Sequence, residues 1–237
     1  MSVKEALFKE FNIRSFKGKE AIEKIKKYSG NFAYVLPEDQ TEEICKLAVE
    51  MDGDNLEYVY NQTEEICIIA VRNSPNALKY VKNQTEKICM EAVKRNGISI
   101  RFVENQTREI CLEAIKQKGD YLYFVKNKTQ ELYMAAVKED GWVIRDIEDQ
   151  TEEICMEAVK QNPWSIKYVK NQTEKLCIEA IRRDTNVLRF IKNPTTEMCI
   201  AALSEYPHLL KFIENQTMTL CRIAVSKDRS CIRYIKI

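Results

Sequence analysis

The sequence predicts an all-α fold: an α-solenoid, or superhelix, of nine 22-residue helix–turn–helix repeats behind an irregular N-terminal cap. Three observations predict it. Threonine recurs at positions 41, 63, 85, 107, 129, 151, 173, 195 and 217, always 22 residues apart and without an insertion. Within each interval the apolar residues follow a helical period. Alanine stands seven residues after the threonine in all nine intervals, from Ala48 and Ala70 through to Ala202 and Ala224, which suits helices in close approach. A fixed period of this length defines the architecture before any local assignment.

Residues 1–40 form the predicted cap, in which Phe32, Tyr34 and Val35 echo a second helix and Pro37 lies in a two-residue insertion. Residues 41–237 form the array, read as one continuous domain. With Thr as position 0, the first segment (TEKICMEAVKR from Thr85) is apolar at positions 3, 4, 5, 7 and 8. These fill an arc of roughly 200°, which suits a helix sandwiched between neighbours. Position 12 carries Gly53, Gly97, Gly119 and Gly141, or Pro75, Pro163 and Pro207. Glycine ends a helix in a left-handed conformation and proline begins one without losing a hydrogen bond, so this position reads as a corner. The second segment (ISIRFVE from Ile98) is apolar or aromatic at positions 15, 17 and 18 and reads as a short helix.

The junction is Asn-Gln-Thr or a close variant. Asn61, Asn83, Asn105, Asn127, Asn171, Asn193 and Asn215, with Asp39 and Asp149, are the expected N-caps, and Glu42, Glu64, Glu86, Glu152 and Glu174 complete a capping box. Pro194 directly after Asn193 favours Asn over Thr as the cap. The competing architecture is a β-containing solenoid with LKYVKN as a strand; the helical period, the nine alanines and the Glu/Lys richness of the long segment stand against it.

Cys45, Cys67, Cys89, Cys111, Cys155, Cys177, Cys199 and Cys221 share position 4, which Tyr133 interrupts, and Cys231 lies outside the column. Stacked helices lie about 8–10 Å apart, too far for bridges between adjacent copies. The 22-residue gap and a single histidine, His208, do not match short metal-ligand spacings. The column therefore reads as small buried hydrophobes, with no metal and no cofactor. Unpaired thiols favour a reducing, cytoplasmic compartment, where the Asn-Gln-Thr sequons serve as helix caps rather than glycan acceptors.

The chain carries 37 Lys+Arg against 36 Asp+Glu, so no bulk charge draws it to nucleic acid or an anionic membrane. No apolar run reaches the roughly 20 residues of a membrane span, and the N-terminus lacks the pattern of a secretory signal. No phosphate-binding loop or hydrolase or zinc-protease motif occurs, so the chain reads as no enzyme.

Two features stand out. The first is a basic column at position 16: Lys79, Arg101, Arg145, Lys167, Arg189, Lys211 and Arg233, interrupted by Glu57 and Tyr123. It points away from the apolar arc, and a one-sign ladder can follow a polyanion. The second is the fifth repeat. There Tyr133 replaces the cysteine, Asp146 replaces the aromatic of position 17, and Trp142 opens the short helix. Tyr133 is expected to fill the space vacated at Asp146, and two readings stay open: drift with local repacking, or a local bend or groove carrying Tyr133, Trp142 and Asp146.

The runs NQTEEICIIAV from Asn61 and KYVKNQTEKICMEAV from Lys79 resemble tandem helical repeat proteins of unknown function encoded by mimivirus-like giant DNA viruses. The resemblance covers the chain from Thr41 onward. It implies a viral origin and residence in the host cytoplasm or the virion, and brings no activity, cofactor or catalytic residue. The expected function is a non-catalytic scaffold for an unidentified host or viral protein partner. Binding of nucleic acid or another polyanion is the first alternative. A structural or assembly role is the second, through self-association at the C-terminal end, where the array stops at Ile237 without a polar cap.

Overall fold

The computed structural model describes residues 3–236; Met1, Ser2 and the expected apolar terminus at Ile237 lie outside the described residues. Every described element is helical, and no strand occurs among the described residues, which removes the β-containing alternative. The elements fall into two compact units.

The first unit, residues 3–117 with 124–127, contains α1 (Val3–Glu10), α2 (Gly18–Lys27), α3 (Glu42–Met51), α4 (Glu64–Asn73), α5 (Glu86–Arg95) and α6 (Arg108–Gln117). Between them run 3-10 helices at Ser29–Tyr34, Pro37–Asp39, Gly53–Tyr58, Pro75–Tyr80 and Gly97–Phe102. The second unit, residues 118–123 with 128–236, contains α7 (Gln130–Glu139), α8 (Glu152–Gln161), α9 (Glu174–Arg183), α10 (Thr196–Glu205) and α11 (Met218–Lys227). Its 3-10 helices are Gly141–Asp146, Pro163–Tyr168, Thr185–Phe190, Pro207–Phe212 and Arg229–Tyr234. The 3-10 helix Gly119–Phe124 has residues in both units. Each unit is a solenoid-like stack: α2 to α6 pack in sequence in the first, as do α7 to α9 and α10 with α11 in the second, and within each unit successive 3-10 helices pack against one another.

Each repeat is thus a ten-residue α-helix followed by a six-residue 3-10 helix. The α-helix starts at Thr, not at Asn: the Thr hydroxyl accepts the backbone N–H of position 3 at 3.3–3.5 Å in all nine repeats. In five repeats glutamate then stands at the first helical position, where it complements the helix dipole but is two residues too early for a capping box. Pro194 precedes the cap Thr195 and is not the first residue of the helix, which corrects the argument for Asn. At the other end the chain turns through an extended residue at position 11, as at Asp52 (φ −157°) and Asn96 (φ −154°). Where it is Asp or Asn, that residue also caps the 3-10 helix, its side chain accepting the N–H two residues on, as in Asp140 to Trp142 at 2.9 Å.

Among the described glycines only Gly18 has positive φ, so the position-12 glycines do not end helices by a left-handed turn. They allow close approach instead. A Cβ on Gly53 would lie 2.3 Å from the Ala70 carbonyl oxygen, and one on Gly141 would lie 2.5 Å from that of Ala158. Their N–H groups are used too: Gly53, Gly97 and Gly141 donate to the side-chain oxygens of Asn73, Gln117 and Gln161 of the following repeat at 2.7–2.8 Å. Where position 12 is Pro75, Pro163 or Pro207, with no N–H to give, the equivalent residues are Arg95, Arg183 and Lys227.

The core follows the helical arc with one correction. Positions 3, 4, 7 and 8 are buried almost throughout, and every position-7 alanine is 0% exposed. Position 5, counted in the buried arc from sequence, is half-exposed at Met90, Leu112, Met134, Met156 and Ile200 and exposed at Ile178. The 3-10 geometry accounts for the second segment: with three residues per turn, positions 15 and 18 eclipse one another on the inner side. Leu56 and Val59 or Ile166 and Val169 are accordingly buried, while the position-17 rings are left half-exposed, or exposed at Tyr58 and Phe212.

Candidate binding surfaces

The outer face of the long helices carries the position-5 side chains. In the second unit, Met156 and Ile178 line a groove of about 710 Å³ between α8 and α9, rimmed by Glu152, Lys160, Lys175 and Glu179. A second groove of about 560 Å³ lies between α9 and α10, with Ile178, Ile181, Met198 and Ala201 along it and Glu174, Arg182 and Glu197 at its edges. Glu179 is held by Arg183 at 2.6 Å and Arg182 at 2.9 Å, and these bonds lower its pKa below the ordinary carboxylate value against the opposing effect of burial. The rim is therefore charged and internally balanced, and the floor is apolar.

The junction glutamine was not singled out from sequence, although Asn-Gln-Thr announced it. Gln62 Nε2 donates to Leu56 O in its own repeat at 3.1 Å and to Tyr80 O in the next at 2.9 Å, while its Oε1 accepts the N–H of Lys82 at 2.9 Å. Gln84, Gln106, Gln150, Gln172 and Gln216 repeat this pattern, and Gln40 joins the cap to the first repeat through Tyr58 O and the N–H of Tyr60. One carboxamide thus satisfies groups at the ends of two successive 3-10 helices. The cysteine column leans on this ladder: the thiols of Cys67, Cys89, Cys155 and Cys221 reach Oε1 of the preceding glutamine at 3.5–3.9 Å. All nine cysteines are free and buried. Burial, reinforced by nearby glutamates, pushes Cys45, Cys67 and Cys89 up to about 11. They are protonated packing groups rather than nucleophiles at neutral pH.

All seven basic residues of position 16 are exposed. Most rest on aromatic rings. Lys79 lies 4.5 Å from the ring centre of Tyr80, Arg101 4.4 Å from Phe102, and Arg233 4.9 Å from Tyr234. Lys167 and Lys211 each touch the ring of their own repeat and that of the next. Arg189 is surrounded by Trp164, Phe190 and Phe212. Arg145 has no ring beside it in sequence, because position 17 is Asp146; it bonds that carboxylate at 3.1 Å and reaches Asp120 at 3.7 Å. Asp146 therefore replaces the electron-rich face of a ring with a carboxylate as partner for the cation.

The three residues of the irregular repeat have separate surroundings. Asp146 sits at the surface with Arg145, its side chain 60% exposed. Trp142 meets Tyr168 edge-on at 5.7 Å. Tyr133 is half-buried, its hydroxyl pKa raised by burial and then by the charges of Asp149 and Glu148. Tyr133 also follows Lys128, where the ladder glutamine is absent, so loss of the cysteine accompanies loss of the carboxamide it would touch.

A further cluster joins consecutive repeats. His208 Nε2 lies 3.2 Å from Asp228 Oδ2, and Nδ1 lies 3.4 Å from Cys231 Sγ. The register explains it. A position-13 side chain reaches position 11 of the next repeat also at Asp54–Ser74 (3.1 Å) and Trp164–Asp184 (2.8 Å). At Asp184 burial opposes ionisation, but hydrogen bonds from Asn186 and Trp164 prevail and lower the pKa. No helix among the described residues is long and apolar enough to cross a membrane.

Comparison with known proteins places these features in a family without supplying a function. No curated protein and no solved structure matches the chain. The family described as Domain of unknown function (DUF4116) matches five times in overlapping tandem, over residues 41–85, 64–106, 85–130, 129–173 and 151–196. Each match spans about two repeats, the smallest piece that contains one complete junction. Together they cover more than half of the sequence, and the chain belongs to the DUF4116 family.

Proposed function

We propose that this chain is a non-catalytic scaffold that binds a protein partner along the outer face of its long helices. The observation that carries this reading is the pair of open grooves flanking α9, with Met156, Ile178 and Met198 along an apolar floor between charged rims. Exposed apolar strips bordered by charge mark protein-binding surfaces, and methionine adapts its shape to what it meets. A repeat stack offers such a strip several times in one direction, which fits an extended amphipathic segment better than a small substrate. The buried, protonated thiols support a non-catalytic role. The resemblance to giant-virus repeat proteins makes a viral or host protein of the infected cytoplasm, or of the virion, the partner class to test first.

The experiment is a differential capture. Wild-type protein, a Met156→Glu/Ile178→Glu variant and a Lys167→Glu/Arg189→Glu variant are used as baits, with sedimentation of each bait alone. A protein retained by the wild type and the second variant but lost by the first is the expected result. Salt-sensitive recovery of nucleic acid that disappears only with the second variant would replace this reading with polyanion binding along the basic residues. Concentration-dependent association of the bait, with no other protein retained, would replace it with an assembly role.

A further inference from the structure

We infer that His208, Asp228 and Cys231 form a binding site for a thiolate-preferring divalent transition metal, with zinc as the best fit, clamping the eighth repeat to the ninth. This inference is independent of the scaffold reading. One ring nitrogen, one carboxylate oxygen and the sulfur all lie within 4.8 Å of one another. Tetrahedral zinc bonds of about 2.0–2.3 Å place ligand atoms about 3.3–3.6 Å apart, and the Nδ1–Sγ distance of 3.4 Å already has that value. To bring the third donor in, the Asp228 carboxylate leaves Nε2, now at 3.2 Å, and rotates away from the N–H of Ser230.

The surroundings hold the donors in place. Asp228 Oδ1 is fixed by the N–H of Ser230 at 2.8 Å, which leaves Oδ2 toward the histidine. The imidazole stands edge-on against Tyr234 at 5.9 Å and 90°. Cys231 is buried and His208 is exposed, so the sulfur is shielded while the imidazole is open to solvent. Thiolate, imidazole and carboxylate together suit zinc more than magnesium or calcium. Binding transfers the Cys231 proton to solvent and leaves a Zn–S bond in its place, with no change of oxidation state.

The other repeats supply substitutions that the scaffold tolerates. Position 14 is serine at Ser99 and Ser165, position 13 is asparagine at Asn76 and Asn186, and position 11 is asparagine at Asn96 and Asn162. Cys231→Ser, His208→Asn and Asp228→Asn therefore remove one donor each within a known local sequence. The reduced full chain is titrated with Co²⁺, and sulfur-to-cobalt charge-transfer absorption is followed, then displaced with Zn²⁺. Wild type is expected to bind one equivalent with this absorption, and Cys231→Ser to lose it. His208→Asn and Asp228→Asn should weaken binding by at least the roughly 10–100-fold that loss of a mere outer-shell partner costs. Cys221→Ser, which alters a column thiol, should leave the signal intact. Absence of the absorption in wild type, or its persistence in Cys231→Ser, would overturn the assignment.

Discussion

Two junctions within the second unit differ at the residue before the capping threonine. Between the sixth and seventh repeats, Gln172 bridges Ile166 O at 2.9 Å and Phe190 O at 3.0 Å and receives the N–H of Lys192 at 2.9 Å. Between the seventh and eighth, Pro194 stands in that place. There α9 and α10 approach one another much less closely than α8 and α9 do. A cavity of about 560 Å³ borders Pro194, with Cys199, Phe212 and Leu220 in its wall, and the Ile178–Met198 groove opens on the helical side. The apolar code of the two repeats is nearly the same. The tighter junction has a carboxamide that fastens the 3-10 ends together, and the Trp164–Asp184 bond, where the looser one has Asn186 and Tyr206. Burial of apolar surface brings the repeats into contact, and the glutamine sets how tightly they close.

The largest effect should come from opening an intact junction. Gln172→Ala leaves two carbonyls and one N–H to water and should cost about 2–3 kcal/mol, at roughly 1 kcal/mol for each bond. Urea unfolding with an unchanged slope would measure it, and a loss below about 0.5 kcal/mol would refute the role given to the ladder.

The thiols that lean on the ladder provide a pH test. Cys67, beside Gln62, binds its proton more tightly in the folded chain (about 11) than its ordinary value of 9.0. Its contribution to stability is therefore complete below pH 9 and is lost as pH rises toward 11. The effect should be on the order of 1 kcal/mol for each such thiol. Stability measured at pH 8 and pH 10.5 should fall less in Cys67→Ala than in wild type.

Closing the open junction should have a smaller effect of opposite sign. Pro194→Gln restores the donor and acceptor that Leu188, Phe212 and Glu214 lack in this repeat, for a gain of about 1 kcal/mol. Hydrogen exchange at Glu214 should slow at the same time. The smallest effect belongs to the fifth repeat. Asp146→Phe restores the ring beside Arg145 and should change stability by no more than about 0.5 kcal/mol, since an exposed ion pair and an exposed cation–π contact are worth similar amounts. It should also remove part of the salt dependence of stability.

Much of the fold was legible because it is written nine times. The period, the long helix and the buried positions 3, 4, 7 and 8 follow from apolar spacing alone, and the invariant alanine announced close packing. The cap is ambiguous in the sequence because Asn and Thr are both good caps, and only backbone geometry tells which one turns the chain. The exposure of position 5 was missed because a helical arc counts residues and not neighbours: its outer edge is covered only where the next helix lies close. The rings under the basic residues were adjacent in sequence yet unnoticed as partners, since the six-residue segment was read with an α period. The His208–Asp228–Cys231 cluster spans more than one repeat length, so no local spacing rule could find it. The recurring pairing of position 13 with position 11 of the next repeat is the signal that could have.

By itself the sequence determined that copies of one helical unit must stack, because none is large enough to cover its own apolar face, and it determined that positions 3, 4, 7 and 8 lie inside. Tertiary structure alone decided how neighbouring repeats are fastened and where they part. That depends on distances of a few ångströms between residues about 20 apart in the chain, whether a Gln172 reaches two carbonyls or a Pro194 reaches none. Hydrogen bonds are short-ranged and directional, so contacts of this kind exist only once the backbone has brought their partners together.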